Sequence, residues 1–140
     1  MNKTVCIVGL APETRGLVEH EPEGVEIWGL NQFHALLPPR ILERVTRAFQ
    51  IHPWEEMVTR QHPDMGHLEF LKNNNRIPVY LEEENAEVPM GVRYPYEEVC
   101  EDIGDDYLTS AISFMVALAI HEKFEEIKLY GVDMASGTEY

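Results

Sequence analysis

The run Ala111 to Ile120, AISFMVALAI, contains one polar residue, Ser113. A helix lying on a protein surface keeps a polar stripe on its solvent side, and this run has none. At ten residues it is also too short for a bilayer, which takes about 20. It therefore predicts a helix enclosed by other elements of a globular domain, N-capped by a hydroxyl of the preceding Thr109-Ser110 pair. A helix start carries free N–H groups and a positive dipole end that favour an anion. Thr109 and Ser110 are accordingly candidates for ligand binding as well as for capping.

Strand-length runs punctuate the rest of the chain. KTVCIVGL carries an apolar run of strand length that ends at a glycine, as a strand buried on both faces does. VEIWGLN reads as a second strand closed at Gly29, TRAFQIHP as a third stopping at Pro53, RIPVYL as a short fourth and EEIKLYGVDM as a fifth. Between them lie a short helical turn after Thr14, a helix begun by PPRILERV, and a helix opened by Pro63 and ended by the asparagines at 73–75. The acidic stretch from Glu82 to Tyr96 reads as a long loop. Strands alternating with helices over short connections predict one α/β domain, residues 1–140. It has an open sheet of about five mostly parallel strands, the first central, with helices on both faces.

In such sheets ligands sit beyond the carboxyl ends of the strands. The residues that follow the strands therefore form the candidate rim: Gly9, Ala11, Pro12, Glu13 and Thr14, then Asn31 and Gln32, then His52 and Trp54, and last Asp133. Asn31 offers a donor and an acceptor suited to a base or a ribose. His52 is the rim's candidate general base.

Several chemistries lack their signatures. GLAPETRG has glycines only at Gly9 and Gly16, so it is not the dinucleotide fingerprint, and no P-loop or nucleophile elbow occurs. His62 and His67 are five apart, a poor spacing for two metal ligands on one helical face, so no metal is expected. Cys6 lies in an apolar run far from Cys100, which suits reduced thiols and a cytoplasmic protein. The net charge of −14 argues against binding nucleic acid. Acid is concentrated between Glu82 and Asp106, either as a solvated face or as a surface for a basic partner.

Three stretches in order, VGLAPET, VEIWGLNQF and LTSAISFMVALAIHEKFEEIKLYGVDM, resemble the nucleotide-binding half of bacterial CMP-sialic-acid-dependent sialyltransferases. They also resemble uncharacterised Rossmann-like proteins, many of them phage-encoded. The resemblance implies a Rossmann-like domain whose ligand is held by Gly9, Ala11, Pro12, Asn31, Thr109, Ser110, Gly131 and Asp133. Glu13 stands where the family has Ser, and Ala111 where it has Gly. The family's catalytic histidine and phosphate-holding tyrosines lie beyond the position of Tyr140, which implies a chain shortened at its C-terminus.

The expected function is binding of a small nucleotide or nucleotide-sugar, glycosyltransferase-like but without a complete catalytic set, with no cofactor and no membrane. Whether it turns over is left open, with His52 the one candidate base. The alternative is a non-enzymatic, phage-type interaction or ligand-sequestering protein that uses its acidic surface towards a protein partner or a second copy of the chain.

Overall fold

Val5, Cys6, Ile7 and Val8 are wholly enclosed, as four consecutive apolar residues can be only in a strand covered on both faces. The computed structural model describes residues 3–106 and 108–132. Six strands, β1 (Thr4–Val8), β2 (Glu26–Leu30), β3 (Val45–Gln50), β4 (Val79–Leu81), β5 (Gly91–Arg93) and β6 (Glu126–Tyr130), form one sheet ordered β5-β4-β3-β2-β1-β6. Every neighbouring pair is parallel.

Alternate residues of each strand feed two cores. On one face Cys6, Val8, Ile27, Val45, Ala48 and Val79 pack beneath a 3-10 helix (Arg15–His20), α1 (Phe33–Leu36), α2 (Pro39–Leu42), α3 (Trp54–Thr59) and α4 (Met65–Asn73). On the other, Val5, Ile7, Trp28, Leu30 and Phe49 pack beneath α5 (Tyr96–Ile103) and α6 (Ala111–His121). Right-handed crossovers account for this division. The chain steps from β1 to β4 in one direction, which keeps those connections on one face. The return from β5 to β6 runs the opposite way and so crosses the other face. The result is a three-layer α/β fold of the Rossmann-like kind.

The enclosed run forms α6, which buries Ile112, Met115, Ala117, Leu118 and Ala119, more positions than any other described helix. Ile120, at 48% exposed, emerges at its end. Its start is a capping box: the Ser113 amide donates to Ser110 Oγ at 3.2 Å, and the Ser110 amide donates to Ser113 Oγ at 3.1 Å.

Three expectations change. The stretch from Glu82 to Tyr96 is not wholly loop, because Gly91–Arg93 pairs with β4 as the sixth strand. Three residues carry no readable period, and it is the free edge of β4 that makes them a strand. The first strand is not central: β1 lies one strand from the edge, since only the last crossover passes to its far side. Helices α1, α3 and α5 add to the expected set, and PPRILERV yields only the single turn α2. Among the described residues, no helix is long and apolar enough to cross a membrane.

Candidate functional site

Polar residues stand at the carboxyl ends of β2 and β3, where Asn31 follows Leu30 and Gln50 closes its strand. Leu30 is in register with Phe49, so Asn31 and Gln50 are the next neighbours across the two strands. The Asn31 amide still donates to the Phe49 carbonyl, at 3.0 Å. Asn31 then turns with φ of 48°, a left-handed conformation that asparagine tolerates better than most residues.

Beyond these ends lies a cleft of about 110 Å3, lined by Asn31, Gln32, Gln50, His52, Met57, Arg60, Asp64, His67 and Leu68. A second cleft of about 220 Å3 shares His52 and Met57 with it and adds Trp54, Glu55 and the Glu82–Asn85 turn. The first is small beside the roughly 300–1,000 Å3 of typical ligand pockets, so it can hold only part of a metabolite. The second can take the remainder.

Two polar side chains in the first cleft are almost fully buried, Gln50 at 2% and His67 at 3% exposed. His67 Nε2 lies 2.5 Å from Gln50 Oε1, and its Nδ1 lies 3.0 Å from His34 Nε2. His34 is in turn stacked on Phe70, ring centres 4.2 Å apart. Burial, reinforced by His34, lowers the His67 pKa to about 4, and burial also lowers that of His34. The Asp64 side chain caps α4 by accepting from the His67 amide at 3.0 Å, which fixes the start of that helix. Asn31 Oδ1 is buried and has no hydrogen-bond partner. Among the described residues it is the one buried side-chain polar atom in that position.

The structure thus brings Asn31 and His52 together. Gln32 lines the same cleft and Trp54 the second one, and the remaining residues expected at the site do not join them. Gly9 and Gly131 close the junction of β1 and β6, where the Gly9 amide donates to the Tyr130 carbonyl at 2.7 Å and the Ala11 amide to the Gly131 carbonyl at 2.8 Å. The Gly131 amide donates to Thr14 Oγ1 at 3.0 Å. The Gly9 and Ala11 amides, which a phosphate-binding loop would present to an anion, are therefore engaged by the backbone of β6 and the glycine after it. Pro12 lines a separate cleft of about 310 Å3 with Glu13, Arg15, Glu19 and Arg40. The Ser110 hydroxyl serves the α6 cap, and Thr109 is exposed and lines none of these clefts. Asp133 falls outside the described residues.

A further cleft of about 320 Å3 lies between Arg93, Tyr94, Tyr96, Glu82, Glu97 and Phe114. Both terminal nitrogens of Arg93 bond Glu97, at 3.1 and 2.9 Å. Glu82, Glu83 and Glu84 are exposed, as a solvated acidic face requires. Cys6 and Cys100 are free thiols, and burial pushes Cys6 up to about 11, which leaves it inert. No group of three or more His, Cys, Asp or Glu residues suited to a metal occurs among the described residues.

Gln50, Arg60, Asp64 and His67 are cleft residues that sequence reasoning missed. In the sequence His67 stands out only through its spacing from His62. The available signal was Gln50, a polar residue closing a buried strand beside His52.

No protein-family model matches the chain, and no curated protein or solved structure matches it. Its class is set by its own architecture: an α/β protein with a Rossmann-like three-layer fold and a polar cleft over the ends of β2 and β3.

Proposed function

We propose that the protein binds a small nucleotide or nucleotide-sugar in the cleft of Asn31, Gln50, His52 and Arg60, without the full set of groups that glycosyl transfer needs. The observation that carries this reading is the unpartnered, buried Asn31 Oδ1. Leaving a buried acceptor unpaired costs about 1–3 kcal/mol. A base amino group or a ribose hydroxyl supplies the missing donor, and the cleft lies at the carboxyl rim where parallel sheets bind ligands.

Transfer also requires a base at the acceptor and cations at the departing phosphate. His52 can serve as the base, but among the described residues Arg60 is the sole Lys or Arg side chain lining the first cleft, with Asp64 beside it. Glu82, Glu83 and Glu84 line the second. This acidic setting favours binding without turnover. Calorimetry with CMP, UMP, AMP and their sugar conjugates tests the reading: binding is expected, weakened roughly tenfold by Asn31→Ala. No heat with any of them at millimolar concentration overturns it. Incubation with CMP-sialic acid and a galactoside acceptor should release no CMP. Steady release abolished by His52→Ala would instead make His52 the catalytic base.

The three consecutive exposed glutamates favour a second reading, a cytoplasmic, phage-type interaction module whose acidic face docks a basic partner. Its salt-sensitive association should fail when Glu82, Glu83 and Glu84 are neutralised together. A pull-down yield unchanged by that triple variant counts against it.

A further inference from the structure

The Gln50 carboxamide lies at the floor of the cleft with its direction held from behind. A carboxamide oxygen only accepts hydrogen bonds, so His67 Nε2, 2.5 Å from Gln50 Oε1, carries a proton and donates it. A neutral imidazole then has Nδ1 as its acceptor, and the donor facing that atom at 3.0 Å is Nε2–H of His34. The chain of bonds runs one way, from His34 to His67 to Gln50. With its oxygen engaged, the group Gln50 has left to offer the cleft is its NH2. Beside it, one step past the Leu30–Phe49 pair and roughly 5 Å away across the strands, Asn31 holds an unpartnered oxygen.

We infer that Gln50 is a specificity-determining residue, oriented by His67 and His34, and that with Asn31 it reads the edge of a nucleobase carrying a hydrogen-bond donor beside an acceptor. The inference rests on the nucleotide reading of the cleft and says which part of the ligand enters it. A phosphate or carboxylate presents only acceptors and would face the Asn31 oxygen unfavourably. An ammonium or guanidinium presents only donors and would oppose the Gln50 NH2. Cytosine (N4–H beside N3) and uracil (N3–H beside O4) each match both groups. The base therefore occupies the inner cleft, and ribose and phosphate extend past His52.

Two measurements on the unaltered protein test this, supported by variants. Nitrogen-15 NMR of the imidazoles should show His34 and His67 both protonated at Nε2, with Nδ1 unprotonated. Cytidine and uridine should bind, whereas N4,N4-dimethylcytidine and 3-methyluridine, which lack the edge donor, should bind roughly tenfold or more weakly. Gln50→Glu keeps an acceptor for His67 and Gln50→Met removes both groups. In whichever variant melts cooperatively, the affinity for the parent nucleosides should fall by a similar factor. A proton on His67 Nδ1, or methylated nucleosides binding as tightly as their parents, overturns the inference alone. Failure of every nucleoside and nucleotide to bind overturns the nucleotide reading and this inference together.

Discussion

Gly9 and Gly131 meet backbone to backbone where β1 and β6 end, so closely that a Cβ built on either would lie 2.5 Å from the carbonyl oxygen of the other. The strand order reverses between β1 and β6, which is where open α/β sheets usually leave a ligand crevice. Here the glycine contact, the bond from the Ala11 amide to Gly131 and the bond from the Gly131 amide to Thr14 fill that position. The cleft with the unpartnered acceptor opens instead over β2 and β3.

Substitution at this junction should be costly for stability. Gly9→Ala forces the two backbones apart, an overpacking worth about 1–3 kcal/mol. Gly131→Ala should cost more, because Gly131 has φ of 67° and strained backbone adds about 1–3 kcal/mol. Urea denaturation measures both. An unchanged midpoint for Gly131→Ala would show that the contact relaxes freely.

The ion pair of Arg47 and Glu122 ties β3 to the end of α6. Arg47 donates from both terminal nitrogens to the two Glu122 oxygens, at 2.7 and 2.8 Å, with its guanidinium 4.7 Å from the centre of the Trp28 ring. Hydrogen bonding from Arg47 lowers the Glu122 pKa below its ordinary 4.5. A carboxylate with a depressed folded-state pKa stabilises above its unfolded pKa, and that contribution is lost as pH falls through the folded value. Glu122→Gln should cost about 1–3 kcal/mol at pH 7. The difference from the unaltered protein should shrink as pH falls below 4.5 towards the lowered folded value. Denaturation midpoints at pH 7 and pH 3 provide the check.

His67 gives a second pH dependence in a different window. Its folded pKa is about 4 against an ordinary 6.5, so between those values the unfolded chain binds a proton that the native protein refuses. Stability should therefore fall on acidification from pH 6.5 towards 4, and His34, also lowered, acts in the same direction. His67→Gln should flatten the stability profile over that range while lowering stability at pH 7. A profile of unchanged slope would mean that His67 is not the group responsible.

Truncation in α6 should be among the most damaging core changes. Met115 and Leu118 are 0% and 1% exposed, and replacing either with Ala should cost about 2–5 kcal/mol by removing buried contacts and leaving a cavity. Ile120→Ala, at a position 48% exposed, should cost well under half as much. Thermal melts of the three variants compare them directly.

What the sequence determined by itself was whatever depends on near neighbours. The apolar run ending at Val8 could only be a doubly covered strand, and AISFMVALAI could only be an enclosed helix. A hydroxyl cap from the Thr109-Ser110 pair was legible because capping is local, although the part played by Ser113 was not. From these the parallel layered sheet followed. Tertiary structure alone decided that Gly91–Arg93 is a strand, since the free edge of β4 supplies its partners. It also decided which polar residues meet. Asn31 and His52 were legible as strand-end residues, but His67 comes from a helix 17 residues beyond Gln50, and only packing sets it against that side chain. The same holds for the glycine junction, where residues 9 and 131 touch because β1 and β6 are adjacent. Contacts between residues far apart in the chain depend on which elements become neighbours, and no local pattern records that.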